Sequence, residues 1–281
     1  MEMVKIKVIT ALALLCGVSA AAQNFTWSTP AMDGSRAGTT IPTVENVDEA
    51  LGRMEGKKYV APNGKVYKKG STPAVAKLMI DAQPTMAPVK EYVGFTTHEL
   101  SRRDPELGNL IVDCIMAGAQ EATGIKIDAG LTNNGGIRID LPEGKIVLDD
   151  IMSMLPFKNY IAVLEMKGSE LRRLFGDLAK ERMQVVGGFT GTIKDGEVLE
   201  VLVGGKPIDD AATYHLATID FLLTGGDNIF AAKYASDLVQ TEVLIRDAVL
   251  SYLAGLKEAG KAIEYDNTVR VNDLTERRRP R

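Results

Sequence analysis

The stretch Leu131 to Lys145, LTNNGGIRIDLPEGK, sets two asparagines and two glycines just ahead of Arg138. Adjacent glycines let a chain turn at positive φ or let a ligand approach the backbone, and an arginine fork beside them could grip an anion through charge-assisted hydrogen bonds. Asn-Gly is first of all a turn signal, so a tight turn with a surface arginine is the competing reading. A second loop, DFLLTGGDNIF, repeats the theme with Phe221, Gly225, Gly226 and Asp227. A carboxylate there could accept both hydroxyls of a ribose, as acidic residues do in other nucleotide sites. Taken alone, that loop too is most often a turn. In a third piece, LPFKNY, Pro156 breaks the preceding helix and delivers Phe157 to its end. One aromatic in that place is usually core, but two facing rings could sandwich a planar base at roughly 1 to 3 kcal/mol per stacking contact.

The elements that must position these residues alternate along the chain. A helix over about 106 to 123 precedes a short strand, KIDAGLTN, that runs into the Asn-Gly turn. A brief helix, LDDIMSML, leads to PFKNY, then come the strand IAVLEMK and a helix opening at Gly168-Ser169. Strands joined by the turns KDGE and GGKP follow, then YHLATIDFLLTGGDN. A long helix carries Ile245, Val249, Leu253 and Leu256 on one face, and TVRVN forms a last strand. Mixed helices and strands with hairpin-like joins predict a layered α+β domain rather than a doubly wound sheet.

Ahead of that domain, residues 23–70 are rich in Gly, Thr, Pro and Asn and read as an irregular leader, with a small hairpin turning at Asn63-Gly64. A linker-like helix over 71–92 follows. Ser71 or Thr72 caps it, Pro73 lies in its first turn, and Val75, Leu78, Met79 and Ala82 form its apolar stripe. Pro84 should kink or interrupt it.

Lys5 and Lys7 precede the apolar run VITALALLCGVSA and an Ala-x-Ala site, so residues 1–22 read as a signal peptide cleaved after Ala22. The run is too short to span a bilayer, and the expected location is periplasmic or secreted. Taking Lys5, Lys7 and Glu2 from 33 basic and 37 acidic residues leaves 31 against 36, a net charge of −5. An acidic chain lacks the electrostatic footprint of a nucleic-acid binder, and the RRRPR end, in a tail over 273–281, reads as solvated. Once Cys16 is removed, Cys114 is the one cysteine left, which excludes an intrachain disulfide; its place on the stripe of Leu107, Leu110 and Ile111 marks a buried thiol.

In order and spacing, SRRDPELGNLIVD, NNGGIR, LPFKN, LEMKGSEL and TIDFLLTGGDNIF resemble the C-terminal, substrate-binding domain of the 5′-nucleotidases over residues 93–272. The resemblance implies a layered, mixed-sheet α+β domain of that type. It also implies a pocket in which Phe157 and Phe221 stack on the base, Asp227 holds the ribose, and Arg103, Arg138 and Asn133 bind the phosphate side. Gly135, Gly136 and Gly226 would let backbone approach the ligand, and Asn159 matches a further polar contact of some members. The implied ligand is a nucleoside monophosphate or nucleoside.

Catalysis in that family lies in an N-terminal metallophosphatase domain with two metal ions held by Asp-x-His, Gly-Asn-His and Gly-His-x-His segments. None of these occurs in the 281 residues, and past residue 22 the histidines are His98 and His215 alone. THELSR lacks the second histidine of a zincin, and no serine has a recognisable base. No catalytic residue, metal ligand or cofactor is therefore assigned to this chain, and divalent metals are expected only in a partner. Two functions are open: a nucleotide-binding half of an extracytoplasmic 5′-nucleotidase completed by a separate metallophosphatase chain, or a non-catalytic nucleotide- or nucleoside-binding protein.

Overall fold

The computed structural model describes Pro42 and residues 44–275, so the expected signal peptide, Cys16 and the RRRPR end lie outside the described residues. The stretch read as an irregular leader contains regular elements: helix α1 (Val47–Leu51) and a three-stranded antiparallel sheet of β1 (Arg53–Glu55), β2 (Lys58–Val60) and β3 (Val66–Tyr67). Strands of two or three residues are too short to show a period of two in sequence. Tyr59 nonetheless stacks on Tyr67 with centroids 5.9 Å apart and donates its hydroxyl to Leu51 O at 2.6 Å. The hairpin between β2 and β3 turns at Asn63-Gly64, with Gly64 at φ 80°.

Helix α2 (Thr72–Met86) departs from the expected pattern twice. Pro84 does not end it; the helix continues for two residues and passes into a 3-10 turn at Ala87–Lys90. A proline in the last turn forfeits a single helical hydrogen bond, which a fifteen-residue helix tolerates. The stripe of Val75, Leu78, Met79 and Ala82 also faces out, with Leu78 71% exposed, while Pro73 and Ala76 are buried on the side facing β1 and β2.

The main body follows. Strand β4 (Tyr92–Thr96) leads to helix α3 (Pro105–Thr123), β5 (Ala129–Thr132), β6 (Gly144–Val147) and helix α4 (Leu148–Met154). Next come β7 (Tyr160–Lys167), helix α5 (Gly168–Glu181), β8 (Val185–Gly187), β9 (Phe189–Lys194), β10 (Glu197–Val203) and β11 (Lys206–Pro207). The order is completed by β12 (Thr213–Ile219), β13 (Asp237–Leu244), helix α6 (Ile245–Glu258) and β14 (Val271–Asp273).

A five-stranded sheet in the order β13-β7-β12-β5-β8 forms the centre, parallel between β12 and β5 and antiparallel elsewhere. A second sheet, β11-β10-β9-β14, is parallel only between β9 and β14, and β4 pairs with β6. Helices and mixed sheets thus make the layered α+β fold. Leu107, Leu110, Ile111 and Ile115 recur at helical spacing on α3 and are fully buried. In β7, Ile161 through Leu164 are buried in succession, as expected of a strand covered on both faces. Two consequences bear on function: β5 delivers Asn133 at its carboxyl end, and the adjacent β12 delivers Phe221 and Asp227 past its own.

Candidate functional site

Asn133 leaves β5 in extended conformation, and Asn134–Gly136 form one 3-10 turn closed by Gly136 N to Asn133 O at 3.1 Å. Gln184 clamps the turn, accepting from Asn134 N at 2.9 Å and from Asn134 Nδ2 at 3.2 Å. Neither Gly135 nor Gly136 takes a positive φ. Close packing requires them instead. A Cβ on Gly136 would stand 2.8 Å from Asn133 Oδ1, and one on Gly135 would stand 3.3 Å from Asp227 Oδ2. The glycines admit two neighbouring side chains, where the sequence suggested backbone approach to a ligand.

Those side chains meet. Asn133 Nδ2 donates to Asp227 Oδ2 at 2.6 Å. A carboxylate can only accept, so this contact fixes the amide's orientation and leaves Asn133 Oδ1 buried with no partner among the described residues. Asp227 and Asn228 both sit in the left-handed region, at φ 48° and 62°, a conformation in which Asp and Asn are enriched. On the amino-terminal side of Asp227, a Cβ on Gly226 would lie 2.2 Å from Phe221 O and 2.6 Å from its ring, so Gly226 is what lets Phe221 pack against the loop.

Arg138 is tied to the end of α4 by its own N–H, which donates to Met154 O at 2.9 Å. Its Nη1 donates to Gly135 O at 3.0 Å, and its guanidinium lies 5.8 Å from the centre of the Phe157 ring. Phe157 and Phe221 are 47% and 44% exposed, unusual for phenylalanine. A narrow cleft beside Phe157 is lined by Asn133, Gly136, Phe157 and Asn159. Arg103 is exposed, with no ion pair among the described residues. Its neighbour Arg102 donates Nη1 to Arg138 O at 2.6 Å, which fastens the 101–104 loop to the NNGGIR turn.

The structure therefore lines one cleft with Asn133, Gly136, Phe157 and Asn159; Asp227 is bonded to Asn133, Arg138 to Gly135 O beside the Phe157 ring, and Phe221 packs on Gly226. Arg103 lies in the loop that Arg102 fastens to Arg138 O, with no contact of its own to these residues among the described ones. Arg102 and Gln184 were not singled out in the sequence. Arg102 stands beside an equivalent arginine, and Gln184 acts across 50 positions with no local signal.

The remaining candidates have structural partners. His98 Nε2 lies 2.9 Å from Glu106 Oε2, whose hydrogen bond and charge raise the imidazole above its ordinary value. His215 stands 3.8 Å from Asp128 and 3.7 Å from Glu165. Cys114 is buried, and desolvation pushes its thiol up to about 12. Asn109 is buried and donates Nδ2 to Asp266 O and Thr268 O. Among the described residues no group of three or more His, Cys, Asp or Glu could hold a metal ion. The dimetal centre of a metallophosphatase does not fit this donor set.

Residues 85–234 match the family model described as 5′-nucleotidase, C-terminal domain. The trifunctional nucleotide phosphoesterase protein YfkN of Bacillus subtilis is 31% identical over 175 residues, which cover 53% of this chain and 12% of that protein. The 5′-nucleotidase of Vibrio cholerae is 27% identical over 176 residues, 61% of this chain and 30% of that one. The solved 5′-nucleotidase precursor of Thermus thermophilus superposes with a TM-score of 0.64 at 25% identity, covering 78% of this chain and 46% of its own. The chain thus spans less than half the length of each.

Proposed function

The chain belongs to the 5′-nucleotidase C-terminal domain family, and from that membership and the cleft's geometry we propose that it binds a nucleoside monophosphate for an extracytoplasmic 5′-nucleotidase-type phosphohydrolase of nucleotide catabolism. In this reading Phe157 and Phe221 hold the base between their faces, and Asp227 accepts the ribose hydroxyls. Arg103 and Arg138 supply fixed positive charge to the phosphate. Asn133, its amide committed to Asp227, offers a buried carbonyl oxygen to a donor on the ligand.

The observation that carries the reading is the Asn133–Asp227 bond, which sets a carboxylate and an unpaired buried acceptor beside two exposed aromatic rings and an arginine. An unsatisfied buried acceptor costs about 1 to 3 kcal/mol, which a ligand donor recovers.

Hydrolysis needs metal chemistry that this donor set does not hold, so we assign it to a separate dimetal metallophosphatase chain. The outward apolar face of α2, with Val75, Leu78 and Met79 each at least half exposed, is the surface proposed to receive it. The expected signal peptide supports an extracytoplasmic place. No described helix is long and apolar enough to cross a membrane.

Phosphate release from 5′-AMP tests the assignment. The purified chain alone is expected to release none, and mixing it with a separately produced metallophosphatase chain is expected to start the reaction. Metal-dependent release by the chain alone would contradict the assignment. AMP binding without release in the mixture would favour the non-catalytic binding protein.

A further inference from the structure

Asp227 borders a second space. A cavity of about 630 Å³ opens beside α5, distinct from the narrow cleft, with Asn134, Gly135 and Asp227 among its lining residues. Small-molecule sites span roughly 300 to 1,000 Å³, so this volume could hold a nucleoside-sized group. Leu174, Leu178 and Ile229 give it a buried apolar lining.

The loop that carries Asp227 also furnishes this cavity. Gly225, at φ 121°, packs on the Phe230 ring; a Cβ there would stand 2.9 Å from the ring. Gly226 packs on Phe221 in the same way, so the glycine pair seats two exposed rings, Phe221 before Asp227 and Phe230 after it. Phe230 is 46% exposed and lines the cavity.

Charge is placed there too. Lys180 and Lys233 share the single carboxylate of Asp177, at 3.5 and 3.4 Å, and that carboxylate also accepts the Tyr234 hydroxyl. Glu181 and Asp227 line the cavity as well, so Lys180, Arg182 and Lys233 are balanced in number by Asp177, Glu181 and Asp227. Among these cations Arg182 is the one with no ion pair among the described residues, and its guanidinium is the group free to meet an anion.

We propose that this cavity receives the second unit of a linear dinucleotide that carries a 5′-phosphate, extended through the ribose 3′ oxygen beside Asp227. The inference rests on the nucleotide reading above and narrows its substrate class. The 2′ hydroxyl stays with Asp227, the linking phosphodiester meets Arg182 and Lys233, and the second base stacks on Phe230.

The test is a calorimetric titration of the full chain with 5′-AMP, with its 3′-O-methyl ether and with the 5′-phosphorylated adenylyl-(3′→5′)-adenosine dinucleotide. Against the 3′-O-methyl ether, which like the dinucleotide has no 3′ hydroxyl for Asp227, one further stacked base predicts binding about fivefold or more tighter for the dinucleotide. Phe230→Leu, which keeps an apolar side chain against Gly225 and removes the aromatic face, should remove that gain and leave AMP affinity unchanged. Arg182→Ala, at an exposed side chain that holds no loop in place, should reduce the gain without touching the Gly225 packing. Equal affinities for the dinucleotide and the 3′-O-methyl ether, with AMP bound, would overturn the cavity's role alone. A gain that survives both substitutions would overturn it as well. Failure of AMP itself to bind would overturn the nucleotide reading and this inference together.

Discussion

Asn133 Nδ2 donates to Asp227 Oδ2 at 2.6 Å across 94 positions of sequence, and this bond ties the turn after β5 to the loop after β12. Hydrogen bonds to a charged group are worth about 1.5 to 3 kcal/mol, roughly twice neutral ones. Asp227→Asn should therefore weaken adenosine binding by about tenfold while leaving 2′,3′-dideoxyadenosine unaffected. Calorimetry on the four combinations checks this. Equal losses for both ligands would remove Asp227 from the ribose.

The two arginines predict a different discrimination. Arg138→Ala should cost 5′-AMP about 10- to 150-fold in affinity, the worth of one charge-assisted contact, and leave adenosine within a factor of a few. Arg103→Ala should act in the same direction, since its guanidinium has no ion pair among the described residues to hold it elsewhere. A parallel loss for AMP and adenosine would place the arginines away from the phosphate.

Two glycines separate site from scaffold. Gly226→Ala puts a Cβ 2.2 Å from Phe221 O, so the ring must move, and AMP affinity should fall at least as far as in Phe221→Ala. Gly176, inside α5 with open space around it, should accept alanine and gain about 0.5 to 1 kcal/mol of stability by urea denaturation. Unchanged AMP binding in Gly226→Ala would contradict the role given to the loop.

Long periodic segments were legible in sequence because burial imprints its period on them. The helix expected over 106 to 123 is Pro105–Thr123, and IAVLEMK lies within Tyr160–Lys167. At 47–67 the hairpin turning at Asn63-Gly64 was legible from its turn pair, whereas the helix Val47–Leu51 and the strand Arg53–Glu55, too short to show a period, were not. Periodicity also could not say which way α2 faces: an apolar stripe marks amphipathicity, and in this protein it points outward. At the site, residue types at local spacing revealed what is present but not who touches whom. Gly135 and Gly136 were legible as a turn, whereas their packing against Asn133 and Asp227 depends on contacts made across 94 positions.

His98 gives stability a pH dependence. Glu106, by hydrogen bond and by charge, raises the imidazole above 6.5 in the folded state. The contribution is thus complete below the unfolded value and is lost as pH rises through the folded one. His98→Gln should lower Tm most at about pH 5.5, and the deficit should shrink by about pH 9. Thermal melts of both proteins across that window check it; a pH-independent difference would contradict the pairing.

The central claim is a nucleotide cleft between Phe157 and Phe221, and its most direct test is a calorimetric titration with 5′-AMP and adenosine beside Phe157→Ala and Phe221→Ala. The predicted result is saturable binding by the unaltered chain, weakened about 5- to 150-fold by each substitution, the equivalent of one lost stacking contact of about 1 to 3 kcal/mol. Absence of binding by the folded chain, or binding that neither substitution alters, would contradict the account.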